Sequence, residues 1–141
     1  MSNALVRVWV HLVWATWDRM AWIDEPTERI VRDAAAAQCT RLDAPLQAFG
    51  SADDHVHAVV ELNRQRTLVE VVRAIKGATS NAVQHDQPDR TFRWQEGYGA
   101  FSISEREPAV VLAYVREQRQ RHAAGAINPE WEPEAFDARK G

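Results

Sequence analysis

The chain has 141 residues, 45% of them apolar and 26% charged, with a net charge of −3 and one cysteine. These values describe a single globular domain with its own core; one cysteine excludes an internal disulfide and a multi-cysteine zinc site, and redox chemistry is not expected. No apolar run approaches the roughly 20 residues of a membrane helix, and MSNALVRVWVHLVW lacks the basic start and cleavage site of a secretory signal, so a cytoplasmic location without membrane contact is expected.

Residues 5–17, LVRVWVHLVWATW, are rich in valine and tryptophan with partial alternation, which predicts a long strand buried over much of its length. Trp9, Trp14, Trp17 and Trp22 read as core or interface residues, and His11 as a satisfied core histidine. An acidic cap, Pro26 in the first turn, and apolar residues at 30, 31, 34, 35, 39 and 42 predict a helix over 25–42, with Cys39 a buried thiol. PLQAFGSA then predicts a short strand, residues 51–54 a turn, and HVHAVVEL a second strand closing a hairpin. After the polar loop NRQR, Leu68, Val71, Val72, Ile75 and Ala78 share one face of a helix over 67–85; Gly77 within it invites a kink or a close approach from outside. FRWQEGYGAFSIS predicts a strand broken by glycines, and a third helix runs from an N-cap at Ser104 to about Gly125. Residues 1–127 thus form the domain and 128–141 a loosely attached extension. The order strand, helix, strand, strand, helix, strand, helix predicts an α+β fold of the ferredoxin-like or RRM-like group, an antiparallel sheet with helices on one face.

Two features carry chemistry. On a strand, His55 and His57 project to the same side about 7 Å apart, so two imidazoles can converge on one metal ion. A solvated or hydrogen-bonded pair is the plainer reading of that spacing. On the third helix Tyr114 and Gln118 lie four residues apart and share a face, offering a phenol nucleophile and an amide oxygen. A packed core tyrosine is the plainer reading there, but Arg116, Arg119 and Arg121 crowd the same helix and would suit phosphate contacts. The acidic total gives no general sign of nucleic-acid binding, although residues 62–127 carry ten basic and seven acidic side chains.

The segments HLVWAT (11–16), DHVHAVVEL (54–62), IKGATS (75–80), WQEGYGAFSIS (94–104) and YVREQRQRH (114–122) resemble, in order and separation, the small single-domain tyrosine transposases of the HUH class. That group includes insertion-sequence transposases and relatives associated with repetitive extragenic palindromes. The resemblance implies that His55 and His57 are metal ligands, that Gln118 completes the site for Mg2+ or Mn2+, and that Tyr114 is the nucleophile. It also implies a homodimer in which the tyrosine helix can be lent to the partner, and single-stranded DNA with hairpins as substrate. Here Ala52-Asp53-Asp54 stands where the family often carries an asparagine or a proline-containing turn. His85 and His122 receive no role.

Single-stranded DNA needs a basic track and flat rings for stacking. Arg64, Arg66, Arg73 and Lys76 border the second helix, and Arg93, Trp94 and Tyr98 lie in the glycine-broken region; these are the candidates for backbone and base contact. Core packing is the alternative for Trp94, and a solvated face for the arginines. The expected activity is metal-dependent nicking and rejoining of DNA through a 5′-phosphotyrosine. Its rivals are a catalytically idle nucleic-acid-binding domain and a hydrolase in which a metal activates water.

Overall fold

The structure is a computed structural model that describes residues 4–104 and 108–125. It contains β1 (Val8–Ala15), a short 3-10 turn (Trp17–Arg19), α1 (Glu25–Arg41), β2 (Leu46–Ser51), β3 (His55–Leu62), α2 (Leu68–Asp86), β4 (Gly99–Ser102), α3 (Pro108–Arg116) and α4 (Gln118–Ala124). The strands form one antiparallel sheet in the order β2-β3-β1-β4, the arrangement of the ferredoxin-like group.

Local chemistry accounts for the helix starts. The Asp24 carboxylate accepts from the Thr27 amide and the Thr67 hydroxyl oxygen from the Glu70 amide, so each cap satisfies a backbone donor that the helix itself leaves open. Val31, Ala35 and Cys39 of α1 and Val71, Val72, Ile75 and Val83 of α2 are buried against Val10, Leu12 and Trp14 of β1 and Val56, Ala58 and Val60 of β3. Gly77 is exposed on an uninterrupted α2 with no kink, and a Cβ there would meet nothing within 4 Å among the described residues.

The other side of the sheet has its own smaller core. Ala48, Val59, Val111 and Val115 are buried there, flanked by Trp9, Ile103 and Leu112. Helices on one face therefore describes α1 and α2, while α3 and α4 cross behind β2 and β3. Both faces of β3 are apolar except for His55, His57 and, near its far end, Glu61, which is why it can be covered twice. The expected third helix is divided at Glu117 (φ −96, ψ 16) and ends, as its glycine predicts, at Gly125 with φ 72. The cap expected at Ser104 depends on residues 105–107, and the extension 128–141 follows residue 125; both lie outside the described residues.

Candidate active site

His55 and His57 open β3 on the face that α3 and α4 cover, and both are buried. Tyr114, Gln118 and His122 recur at four-residue steps on the covering helices, so their side chains form a stripe above the two histidines. The Tyr114 ring meets His57 edge-on at 6.1 Å between centroids, and His122 meets His55 at 4.5 Å, with the two Nε2 atoms 3.0 Å apart. Gln118 lies between them in the stripe, fully buried; its Nε2 donates to the Tyr114 carbonyl, and its Oε1 has no hydrogen-bond partner among the described residues.

The ligand atoms of His55, His57 and His122 all lie within 4.8 Å of one another. Nitrogens bound to a common ion at about 2.1 Å stand about 3–4 Å apart, so side-chain adjustments alone bring this trio to one cation. The donor set fits a divalent ion: three imidazoles and an orphaned amide oxygen beside them. Sequence reading missed His122, yet its signal was present, because the step from Tyr114 to Gln118 continues to residue 122.

Each strand histidine is held from behind. His55 Nδ1 bonds the Asp54 carboxylate at 2.8 Å, and His57 Nδ1 bonds His11 Nε2 at the same distance. If both Nδ1 atoms carry the proton, both Nε2 atoms are left as electron-pair donors, the tautomer a metal ligand needs. Burial works to raise the Asp54 carboxyl, but the bond from His55 and the Arg19 guanidinium outweigh it and hold it at about 2. His11 is the buried core histidine that the sequence predicts, and it also holds the His57 ring.

The candidate DNA contacts fall in several places. Arg121 lies over the Tyr114 ring at 4.9 Å and pairs with Glu117 at 3.0 Å. Arg119 bonds Asp53 at 2.6 Å, the Ile23 carbonyl and the Ser51 hydroxyl, which pins α4 to the β2–β3 turn. Arg116 donates to the Gln47 carbonyl. Lys76 donates to the carbonyls of Gln95 and Gly97, and burial lowers its pKa. Trp94 is 8% exposed, its indole bonded to Thr79 and set edge-on to Trp14 and Phe92, so it packs the core and offers no free face to a base. Tyr98 is half-buried against the same core. Arg64, Arg66 and Arg73 are exposed; the first two follow β3 at its far end, roughly 20 Å from His55 by strand rise. Arg93 is exposed at the His55 end, stacked on Trp17.

The profile of the IS200-like transposase family matches residues 4–118. The chain is similar in fold to a crystal structure assigned as a transposase from Deinococcus radiodurans R1, at 22% identity and a TM-score of 0.69, covering 84% of this chain and 96% of that one. It is also similar to a REP-associated tyrosine transposase bound to a REP hairpin, at 14% identity and a TM-score of 0.63, covering 86% and 74%. No curated protein sequence matches significantly. No helix among the described residues is long and apolar enough to cross a membrane. With the family profile spanning β1 through the tyrosine helix, and a histidine cluster beneath that helix, the chain belongs to the IS200-like transposase family.

Proposed function

We propose that this protein nicks and rejoins single-stranded DNA at hairpin-marked ends, with Tyr114 as the nucleophile. The observation that carries the reading is the stripe Tyr114–Gln118–His122 laid over His57 and His55, which sets a phenol beside converging ligand nitrogens. Family membership supports strand-transfer chemistry, and the hairpin held by the relative of similar fold supports hairpin DNA as the substrate class.

His55, His57 and His122, with the Gln118 carbonyl, would hold a divalent cation, which when bound supplies positive charge to the scissile phosphate. Three imidazoles suit Mn2+ better than Mg2+, which prefers oxygen. The Tyr114 oxygen attacks phosphorus, the bond to the 3′ oxygen breaks, and that oxygen leaves as a hydroxyl after taking a proton. The resulting 5′-phosphotyrosine keeps the bond energy, so attack by a 3′-hydroxyl restores the strand and frees the phenol without ATP. Arg121, over the Tyr114 ring, places a cation beside the attacking group. Asp54 and His11 keep the ligand rings aimed. Arg93, Arg116 and Arg121 contact the strand near the site, and Arg64, Arg66 and Arg73 the backbone of the hairpin. In this chain the α3–α4 pair lies over its own histidines; in the homodimer that the resemblance implies, the same pair can be lent to the partner's site.

A labelled single-stranded hairpin oligonucleotide incubated with Mn2+ should give a covalent adduct that survives denaturing electrophoresis, and Tyr114→Phe should give none. Cleaved product without an adduct would make water the nucleophile. Binding without cleavage would leave only a DNA-binding domain.

A further inference from the structure

Sequence pattern places Trp17 in a core or a dimer interface, and at 42% exposure in this chain it is not part of the core. The Arg93 guanidinium lies over one face of its ring, 4.1 Å from the centroid, so the exposed area belongs to the rest of the indole. Met20, 44% exposed, follows in the same turn.

This turn is built, and it is joined to the metal-ligand end of the sheet. Asp18 and Arg19 both have φ 52, a left-handed conformation that side chains other than glycine rarely adopt, and several bonds hold them there. The Thr16 hydroxyl donates to the Met20 carbonyl at 2.7 Å, the Met20 amide to the Trp17 carbonyl at 3.1 Å, and Arg19 pairs with Asp54. The Trp17 amide donates to the Arg93 carbonyl and the Thr16 amide to the Asp54 carbonyl, at 3.0 and 2.9 Å. The same Asp54 carries His55 on its carboxylate. An aromatic face, a cation stacked on it and the first ligand histidine are thus fixed relative to one another by backbone bonds.

We propose that Trp17, backed by Arg93, is a stacking platform for an unpaired base of the DNA strand beside the scissile phosphate. The inference rests on single-stranded DNA being the substrate. Every base has a flat π face, so such a platform holds single strands with little sequence preference, and the guanidinium behind it attracts the adjoining phosphate. A duplex, with its bases already stacked, has no ring to offer. It follows that Trp17, and not Trp94, is the tryptophan that takes the base.

The test measures binding of a fluorescently labelled short oligothymidylate, and of an abasic strand of equal length, to the full chain with Mn2+. Trp17→Ala should weaken oligothymidylate binding about 10-fold or more and leave the abasic strand unaffected, while Trp17→Phe, which keeps a ring, should stay close to wild type. Arg93→Gln should lower the dependence of affinity on salt by about one charge. Mn2+ affinity should be the same in all variants, because none of these side chains holds the ion, and this also reports that the fold is intact. Equal binding of oligothymidylate by wild type and Trp17→Ala overturns the platform. If wild type still forms the Tyr114 adduct in that case, the proposed chemistry survives; if wild type binds no single strand at all, both readings fall.

Discussion

At the scale of single residues, the candidate site depends on side chains placed behind the histidine cluster. His57 receives its orientation from His11, and His55 from an Asp54 that this same bond and Arg19 keep ionised against burial. Removing such a partner frees the ligand ring to turn and lets its tautomer change. His11→Ala is therefore expected to lower Mn2+ affinity about 10- to 100-fold by titration calorimetry with the fold retained. His122→Ala should cost at least as much, because it removes one of the three imidazoles proposed to hold the ion. A His122 variant with wild-type affinity would return the third position to Gln118 alone. His55 and His57 were legible in the sequence because alternation along a strand is rigid. The role of His11 was not, since nothing in a linear pattern tells which strand lies beside which; for His122 the four-residue step gave its helix face but not where that helix comes down.

At the scale of elements, the tyrosine helix reaches the sheet only because β2 carries a glycine at the crossing. A Cβ on Gly50 would overlap the Val115 carbonyl and lie 2.9 Å from its carbon, and Val115 adjoins Tyr114. Gly50→Ala should push α3 outward at a cost of about 1–3 kcal/mol, borne mainly by the small core of Ala48, Val59, Val111 and Val115. The larger core between the sheet and α1–α2 stands on the other face and should keep its melting behaviour. Displacing a nucleophile by about 1 Å can cost roughly 100-fold in rate, so the initial rate of Tyr114 adduct formation should drop on that order. An unchanged rate would mean that the helix does not need this crossing to act.

For the whole molecule, the one cysteine reports on the integrity of the larger core. Cys39 is 1% exposed, and burial pushes its thiol from 9.0 to about 11. The unfolded chain loses that proton near pH 9 while the folded one keeps it, so the unfolded state binds fewer protons there and stability falls as pH rises from about 9 to about 11. The loss should be on the order of 1–3 kcal/mol. Urea midpoints measured across that window should fall more steeply for the wild type than for Cys39→Ala; parallel slopes would show that the thiol is not held neutral. The same burial and raised pKa leave the Cys39 thiol a poor nucleophile.

By itself the sequence determined whatever depends on periodicity along one element: the succession of strands and helices, the common face of His55 and His57, and the four-residue step from Tyr114 to Gln118. Such periodicities follow from backbone geometry and survive in any fold. Tertiary structure alone decided which side of the sheet α3 and α4 would cover, and so brought His122 down onto His55. It also decided that Trp94 would pack against Thr79 and Phe92 while Trp17 turned outward under Arg93. Hydrophobic pattern fixes a side chain's direction relative to its own strand or helix. Which neighbour waits in that direction is set by the path of the chain between elements, and a tryptophan reads the same in sequence whether a core or solvent lies there.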